Sequence, residues 1–298
     1  MTNRHGRHRA GFSLTELLVV LGIIVVLVGV LIPAIQSARR SSRATHCLSN
    51  LHQIALATHS YLTDQKSFPG AAGSSPQAKL APYLQAGEIG SAAIDVDHPE
   101  HAAAAVAELP ALLCPSDKAP RGGEGGRTNY RASVGIQFPW APEGGDAATW
   151  KRQGVFADVG HPVLLEDVKD GPSVTAAFSE HGAGDRVRRR VSEAGDFFEI
   201  PAPGEGATAD DVRQSLLEVD EDRAEQRVDA GSPWTRSSAY TTLYSHDALP
   251  GERSGWWGDG AGELYLATPK SNHGRGVNLL LCDGAARWVR CDINPQTW

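Results

Sequence analysis

The sequence predicts an α+β chain, with one long N-terminal helix packed on an antiparallel β-sheet head. Three observations carry this. No charged residue occurs from Leu17 to Ala38. Apolar residues then recur at helical spacing as far as Leu62. The remainder holds short apolar runs between turn residues, and the chain has 32 Gly and 18 Pro but one Met, which favours turns and short strands over a bundle. The 298 residues allow one or two domains and a real core. A net charge of −7 argues against a nucleic-acid partner.

The first element is a membrane helix. Residues 1–10 hold Arg4, Arg7 and Arg9 and no acid. Leu17–Ile35 is mostly Leu, Val and Ile, and at about 1.5 Å per residue it spans a hydrocarbon core of roughly 30 Å. A secretory signal peptide would have a shorter apolar run and a small-x-small cleavage site. The stretch Ile32 to Arg40 offers none. Charge does not set the orientation, because Arg39, Arg40 and Arg43 balance the three arginines before the helix.

The junction Gly11-Phe12-Ser13-Leu14-Thr15-Glu16 ahead of the apolar run resembles the type IV prepilin leader. The resemblance implies cleavage between Gly11 and Phe12 by a prepilin peptidase, N-methylation of Phe12, and a cytoplasmic N-terminus with the rest outside. Pro33 falls where many pilins carry a kinking proline. Glu16 adds a physical argument. A carboxylate in an apolar helix costs on the order of 2.5–3.5 kcal/mol and wants a partner. The new ammonium of Phe12, its own or a neighbouring subunit's, would serve in assembly. The bland alternative leaves Glu16 wet at headgroup level.

Beyond the span, Leu48, Leu51, Ile54, Ala55, Tyr61 and Leu62 form an apolar stripe, with Asn50 and Gln53 between them. Phe68-Pro69-Gly70 should stop the helix, giving one rod from Ser13 to about Leu62, kinked at Pro33. The expected organisation is a leader at 1–11, a pilin-like helix at 12–66 and a β-rich head at 67–298, with a charged insertion near 185–235.

Cys47, Cys114, Cys282 and Cys291 form no CxxC pair. An exported head permits disulfides. Cys282 and Cys291 flank a hairpin out of register, so Cys47 with Cys114 is the preferred pair; the alternative is four buried thiols.

A second set of motifs runs through the head. It comprises Cys47-Leu-Ser-Asn50 with Phe68-Pro69, Cys114-Pro-Ser-Asp117, Asn129-Tyr130, Asp170-Gly171 with Glu180, and His273 nine residues before Asp283-Gly284. Together these resemble a large bacterial family of prepilin-type proteins with a His-x9-Asp-Gly hallmark, related to the pseudopilins of type II secretion. The likeness covers most of the chain except 185–235. It departs at Pro172-Ser173-Val174, where members often have Thr-Ser-Asn, and at Gly274-Arg275-Gly276, where two Gly often follow the His.

Val277–Cys282 and Ala286–Val289 read as strands, and Asp283-Gly284 as their tight turn, so a hairpin is favoured there over an active site. His273 at the strand entrance is expected to bond to that hairpin or its neighbours; as a metal ligand it lacks a partner pattern. Val163–Leu165 and Ser173–Phe178 also read as strands. Asp167, Asp170 and Glu180 near them would suit calcium, although turn caps and a solvated Glu are the plainer reading. Asp95, Asp97, His98, Glu100 and His101 read as an exposed loop. In the insertion, Arg186 and Arg188–Arg190 form a basic run, and Thr208 caps a polar helix from about Ala209 to Gln226. Trp234, Trp256 and Trp257 either pack under loops or present a binding surface.

No catalytic or nucleotide-binding signature is present, so the expected protein is no enzyme and needs no cofactor. The leading reading is a single-pass inner-membrane pilin-like subunit. Its head would be periplasmic or at the cell surface, and its partners the prepilin peptidase and other pilin-like subunits. The alternative is a membrane-tethered glycan- or protein-binding module that never polymerises.

Overall fold

A computed structural model describes residues 14–84, 102–119, 125–136, 154–156, 162–187, 191–192, 195–204, 207–221, 223–258 and 263–298. The chain divides into two compact units, Met1–Arg43 and Ala44–Trp298. Helix α1, Leu14–Gln65, runs through Pro33 and has Glu16 in its first turn, where a carboxylate also suits the helix dipole. In the first unit the large apolar side chains from Leu14 to Ile35 are exposed. Among the described residues, this is the one helix long and apolar enough to cross a membrane.

The second unit begins within the same helix. Cys47, Asn50, Leu51, Ile54, Ala55, Ala57 and Thr58 are buried, a stripe at steps of three and four. The helix stops at Lys66, which takes φ 63° while its N–H donates to the Leu62 carbonyl at 3.0 Å, a left-handed cap. Two short helices follow, α2 at Pro76–Leu80 and α3 at Ala102–Val106.

The strands form two sheets. The first takes the order β5-β1-β2-β8-β9, with β1 Tyr130–Ser133, β2 Ala176–Glu180, β5 Leu243–Tyr244, β8 Gly276–Leu281 and β9 Ala286–Arg290. The second takes the order β4-β3-β6-β7, with β3 Phe197–Glu199, β4 Gln226–Arg227, β6 Ser254–Gly258 and β7 Glu263–Leu266. An all-antiparallel head was expected, but β1–β5 and β3–β6 are parallel. Both pairs join strands far apart in sequence, where no tight turn dictates direction.

Strand alternation builds the layers. Tyr130, Ala132, Phe178, Leu280 and Cys282 share a core with Leu51 and Ile54 of α1. From the intervening positions, Leu279 and Leu281 meet Phe197 and Trp256 of the second sheet. Trp257, Leu264 and Leu266 then pack on Val212 and Leu216 of α4, Ala209–Leu217. Within this unit the order is therefore helix, sheet, sheet, helix. Each fully buried large apolar side chain contributes about 1.5–3 kcal/mol. Strand β9 is an edge, with Arg287, Trp288 and Arg290 exposed.

Three local expectations change. Residues 163–165 form no strand. Leu165–Asp167 is a 3-10 turn, held by the Asp167 carboxylate accepting from the Leu164 N–H at 2.9 Å. The helix expected to reach Gln226 ends at Leu217, although Thr208 and Asp211 do form a reciprocal capping box. The segment near 185–235 supplies β3, β4 and α4, and Phe197 and Phe198 are fully buried, so it builds part of the core.

Arg131 lies between the sheets, fully buried. Its guanidinium donates to the carbonyls of Ala239 at 2.5 Å and Tyr240 at 2.9 Å and sits 5.3 Å from the Phe197 ring centre. Burial lowers its pKa to about 9. His181 stacks on the same ring at 5.8 Å. His246 packs 4.4 Å from the Trp298 ring.

Burial pushes the His246 pKa down to about 4. Burial first, and then the charge of Arg131, hold His181 well below the usual histidine range. The unfolded chain therefore binds protons that the folded head refuses, so stability is full above about pH 6.5 and falls as pH drops toward 4. The urea midpoint should be lower at about pH 4.5 than at about pH 7. In His246→Phe this pH dependence should shrink, which paired titrations would show.

Candidate functional site

Cys47, Asn50, Cys114, Asp117, Asn129, Tyr130, Glu180 and His273 converge on one place, the α1-facing side of the first sheet. Cys47, on α1, is joined by a disulfide to Cys114, which follows the 3-10 turn Pro110–Leu112; the Cα atoms are 5.2 Å apart. Asn50, one turn along the helix, donates from Nδ2 to the Leu113 carbonyl at 2.8 Å and the Pro110 carbonyl at 3.3 Å. The Tyr130 hydroxyl donates to the Cys47 carbonyl at 3.2 Å. From the other side, the Cys114 N–H donates to Asn129 Oδ1 at 2.9 Å. Asn129 Nδ2 donates to Asp117 and, at 3.1 Å, to the His181 carbonyl. Asp117 also accepts from the Ala183 N–H at 2.8 Å. Thus Cys-Pro-Ser-Asp and Asn-Tyr, separated in sequence, form one hydrogen-bonded network.

Glu180 ends β2 beside this network. Sequence reading favoured a solvated Glu, but the residue is 2% exposed. A buried carboxylate needs partners, and it has them. Asn278 of β8 gives it the backbone N–H at 2.9 Å and Nδ2 at 3.0 Å. His273 Nε2 lies 3.5 Å from Glu180 Oε1 and 3.3 Å from Cys114 Sγ. The hallmark histidine therefore bridges the disulfide and the acid. Asn278 was missed in the sequence. Its signal was a polar residue inside the apolar strand Val277–Leu281, on the side that faces α1.

The two Asp-Gly pairs are turns. Gly171 and Gly284 have φ of 93° and 88°, a region that favours glycine. Asp283 accepts from the Ala285 N–H at 2.9 Å and closes the β8–β9 hairpin. The Asp283 N–H donates to the Pro172 carbonyl at 3.0 Å, and the Cys282 N–H to the Thr175 carbonyl at 2.9 Å, so the turn after Asp170 braces the hairpin. A side chain at Gly284 would begin 3.3 Å from His59 Nε2 on α1, which leaves little room.

Other candidates separate. Among the described residues, Cys47, Cys114, Glu180 and His273 are the group with metal-ligand spacing; Asp167 and Asp170 do not join Glu180. Cys282 is a buried free thiol, raised to about 12 by burial and by the charge of Asp283, and Cys291 is free and partly exposed. Trp234 and Trp257 are buried and Trp256 is 8% exposed, with Trp234 Nε1 bonded to the Ala107 carbonyl at 2.8 Å. They pack and present no surface. Gly11, Phe12, Asp95, Asp97, His98, Glu100, His101 and Arg188–Arg190 lie outside the described residues.

The disulfide closes a loop with a sequence separation of 67. In the chain-entropy model such a crosslink is worth roughly 4 kcal/mol. Replacing Cys47 and Cys114 together by Ala should lower the unfolding free energy of the full-length protein in detergent micelles by about that amount, read by urea denaturation.

Two family models match the chain. One, described as a prokaryotic N-terminal methylation motif, covers residues 6–32; the other, described as a protein of unknown function, DUF1559, covers residues 36–296. No curated protein and no solved structure matches. The first agrees with the leader read at Gly11-Phe12, and the second spans every motif gathered around the disulfide. The chain is thus a prepilin-type protein with a membrane-spanning apolar helix, and it belongs to the DUF1559 family.

Proposed function

We propose that the chain is a pilin-like, non-enzymatic subunit. A prepilin peptidase cuts it between Gly11 and Phe12 and methylates Phe12, and it then assembles with other pilin-like subunits into a type II secretion or pilus-like filament. The observation that carries this reading is the methylation motif over residues 6–32, continuous with an apolar helix that has Glu16 in its first turn. Before assembly the protein sits in the inner membrane with its N-terminus in the cytoplasm and its head outside. During assembly, apolar helices exchange lipid contacts for contacts with one another, and Glu16 meets the N-terminal ammonium of a neighbour.

The head supports the same reading. Trp234, Trp256 and Trp257, the residues on which a tethered glycan-binding surface would rely, are buried. Its motif positions serve turns, a disulfide and a hydrogen-bonded core, as a rigid cap on a filament subunit requires.

Intact-mass and N-terminal peptide spectrometry on protein from cells with a working peptidase should find a mature chain beginning at N-methylated Phe12. A chain that retains residues 1–11 would overturn the proposal. Glu16→Ala should leave the head folded and processing intact but reduce sheared or pelleted filament several-fold. Normal filament yield from that variant would remove the role given to Glu16.

A further inference from the structure

The group around the disulfide has a second chemistry. Cys47 and Cys114 each offer a sulfur, Glu180 a carboxylate oxygen and His273 a ring nitrogen, and these atoms all lie within 4.8 Å of one another. They come from α1, the loop after Pro110–Leu112, the end of β2 and the entrance to β8. Tetrahedral zinc, with Zn–S of about 2.3 Å and Zn–N or Zn–O of about 2.0–2.2 Å, sets its ligand atoms about 3.2–3.8 Å apart. The separations of His273 Nε2 from Cys114 Sγ, 3.3 Å, and from Glu180 Oε1, 3.5 Å, are already close to that. The two bonded sulfurs would have to part, and the remaining pairs lie within 4.8 Å.

We propose that, once its disulfide is reduced, the head binds a zinc ion through Cys47 Sγ, Cys114 Sγ, Glu180 and His273 Nε2. The first step needs a dithiol reductant. It delivers two electrons and two protons, the S–S bond breaks, both cysteines become thiols, and the dithiol closes to its own disulfide. Zinc then displaces the two thiol protons to solvent and takes both thiolates. A closed set of two thiolates, one imidazole and one carboxylate suits Zn²⁺ better than the hard, oxygen-preferring cations.

The surroundings already orient the ligands, as metal sites require. Asn278 fixes both oxygens of Glu180. The Tyr130 hydroxyl holds the Cys47 carbonyl, and Asn129 Oδ1 holds the Cys114 N–H. His273 and Glu180 side chains are 6% and 3% exposed, so a bound ion would be shielded from water. The crosslink engages Cys47 and Cys114 and the metal would engage all four residues, so the two states exclude one another.

The test uses the full-length protein in detergent micelles, with Cys282→Ala and Cys291→Ser removing the other thiols. After phosphine reduction under argon, Co²⁺ is titrated as a spectroscopic stand-in. One Co²⁺ per chain should bind with tetrahedral visible bands and a thiolate charge-transfer band, and added Zn²⁺ should bleach both. The oxidised protein should bind none. His273→Ala and Glu180→Gln should each weaken binding by about tenfold or more. Near-UV circular dichroism of the oxidised form checks that each variant folds. The proposal falls if the reduced protein binds no more Co²⁺ than the oxidised one, or if binding is unchanged in His273→Ala. It also falls if reduction melts the head and zinc does not restore the near-UV signal.

Discussion

The second unit is organised around a covalent constraint. Cys47 lies near the start of that unit, and its bond to Cys114 holds α1 against the loop that leads into β1. Every polar group nearby is placed relative to it. Asn50 reaches the same loop one helical turn on, Tyr130 meets the Cys47 carbonyl, and Asn129 positions Cys114. Glu180 completes the cluster from the end of β2 and His273 from the turn before β8. An unpartnered carboxylate at that depth would be costly. Here it accepts two bonds from Asn278, one from the backbone and one from the side chain.

The rest of the head follows from period-two alternation. In β8 the odd positions face the second sheet and the even positions face α1, so one strand feeds two cores and one polar network. The same holds in β1, where Tyr130 points toward the helix core and Arg131 toward the aromatic layer. A one-residue slip in either strand would exchange these faces, and in β1 it would place a guanidinium against α1.

Much of this was legible beforehand. The apolar run, the Gly11-Phe12 and Glu16 junction, the stop before Phe68 and the Asp283-Gly284 hairpin are local signals, set by a few neighbouring residues. What stayed hidden was non-local. The parallel pairing of β1 with β5 joins strands more than a hundred positions apart in the chain. The roles of Glu180 and Asn278 depend on the pairing of β2 with β8, and that of Arg131 on the pairing of β1 with β5. The segment near 185–235 looked peripheral because its charges outnumber its aromatics, yet Phe197 lies under Arg131 and His181 at the centre of the sandwich.

The outer rim of the first sheet has its own consequence. Strand β9 leaves one side of its backbone ladder open and carries Arg287 and Arg290 outward. Arg290 is paired there with Asp292, while two such margins brought together would set Arg287 against its like. Charge on such a rim disfavours edge-to-edge strand addition.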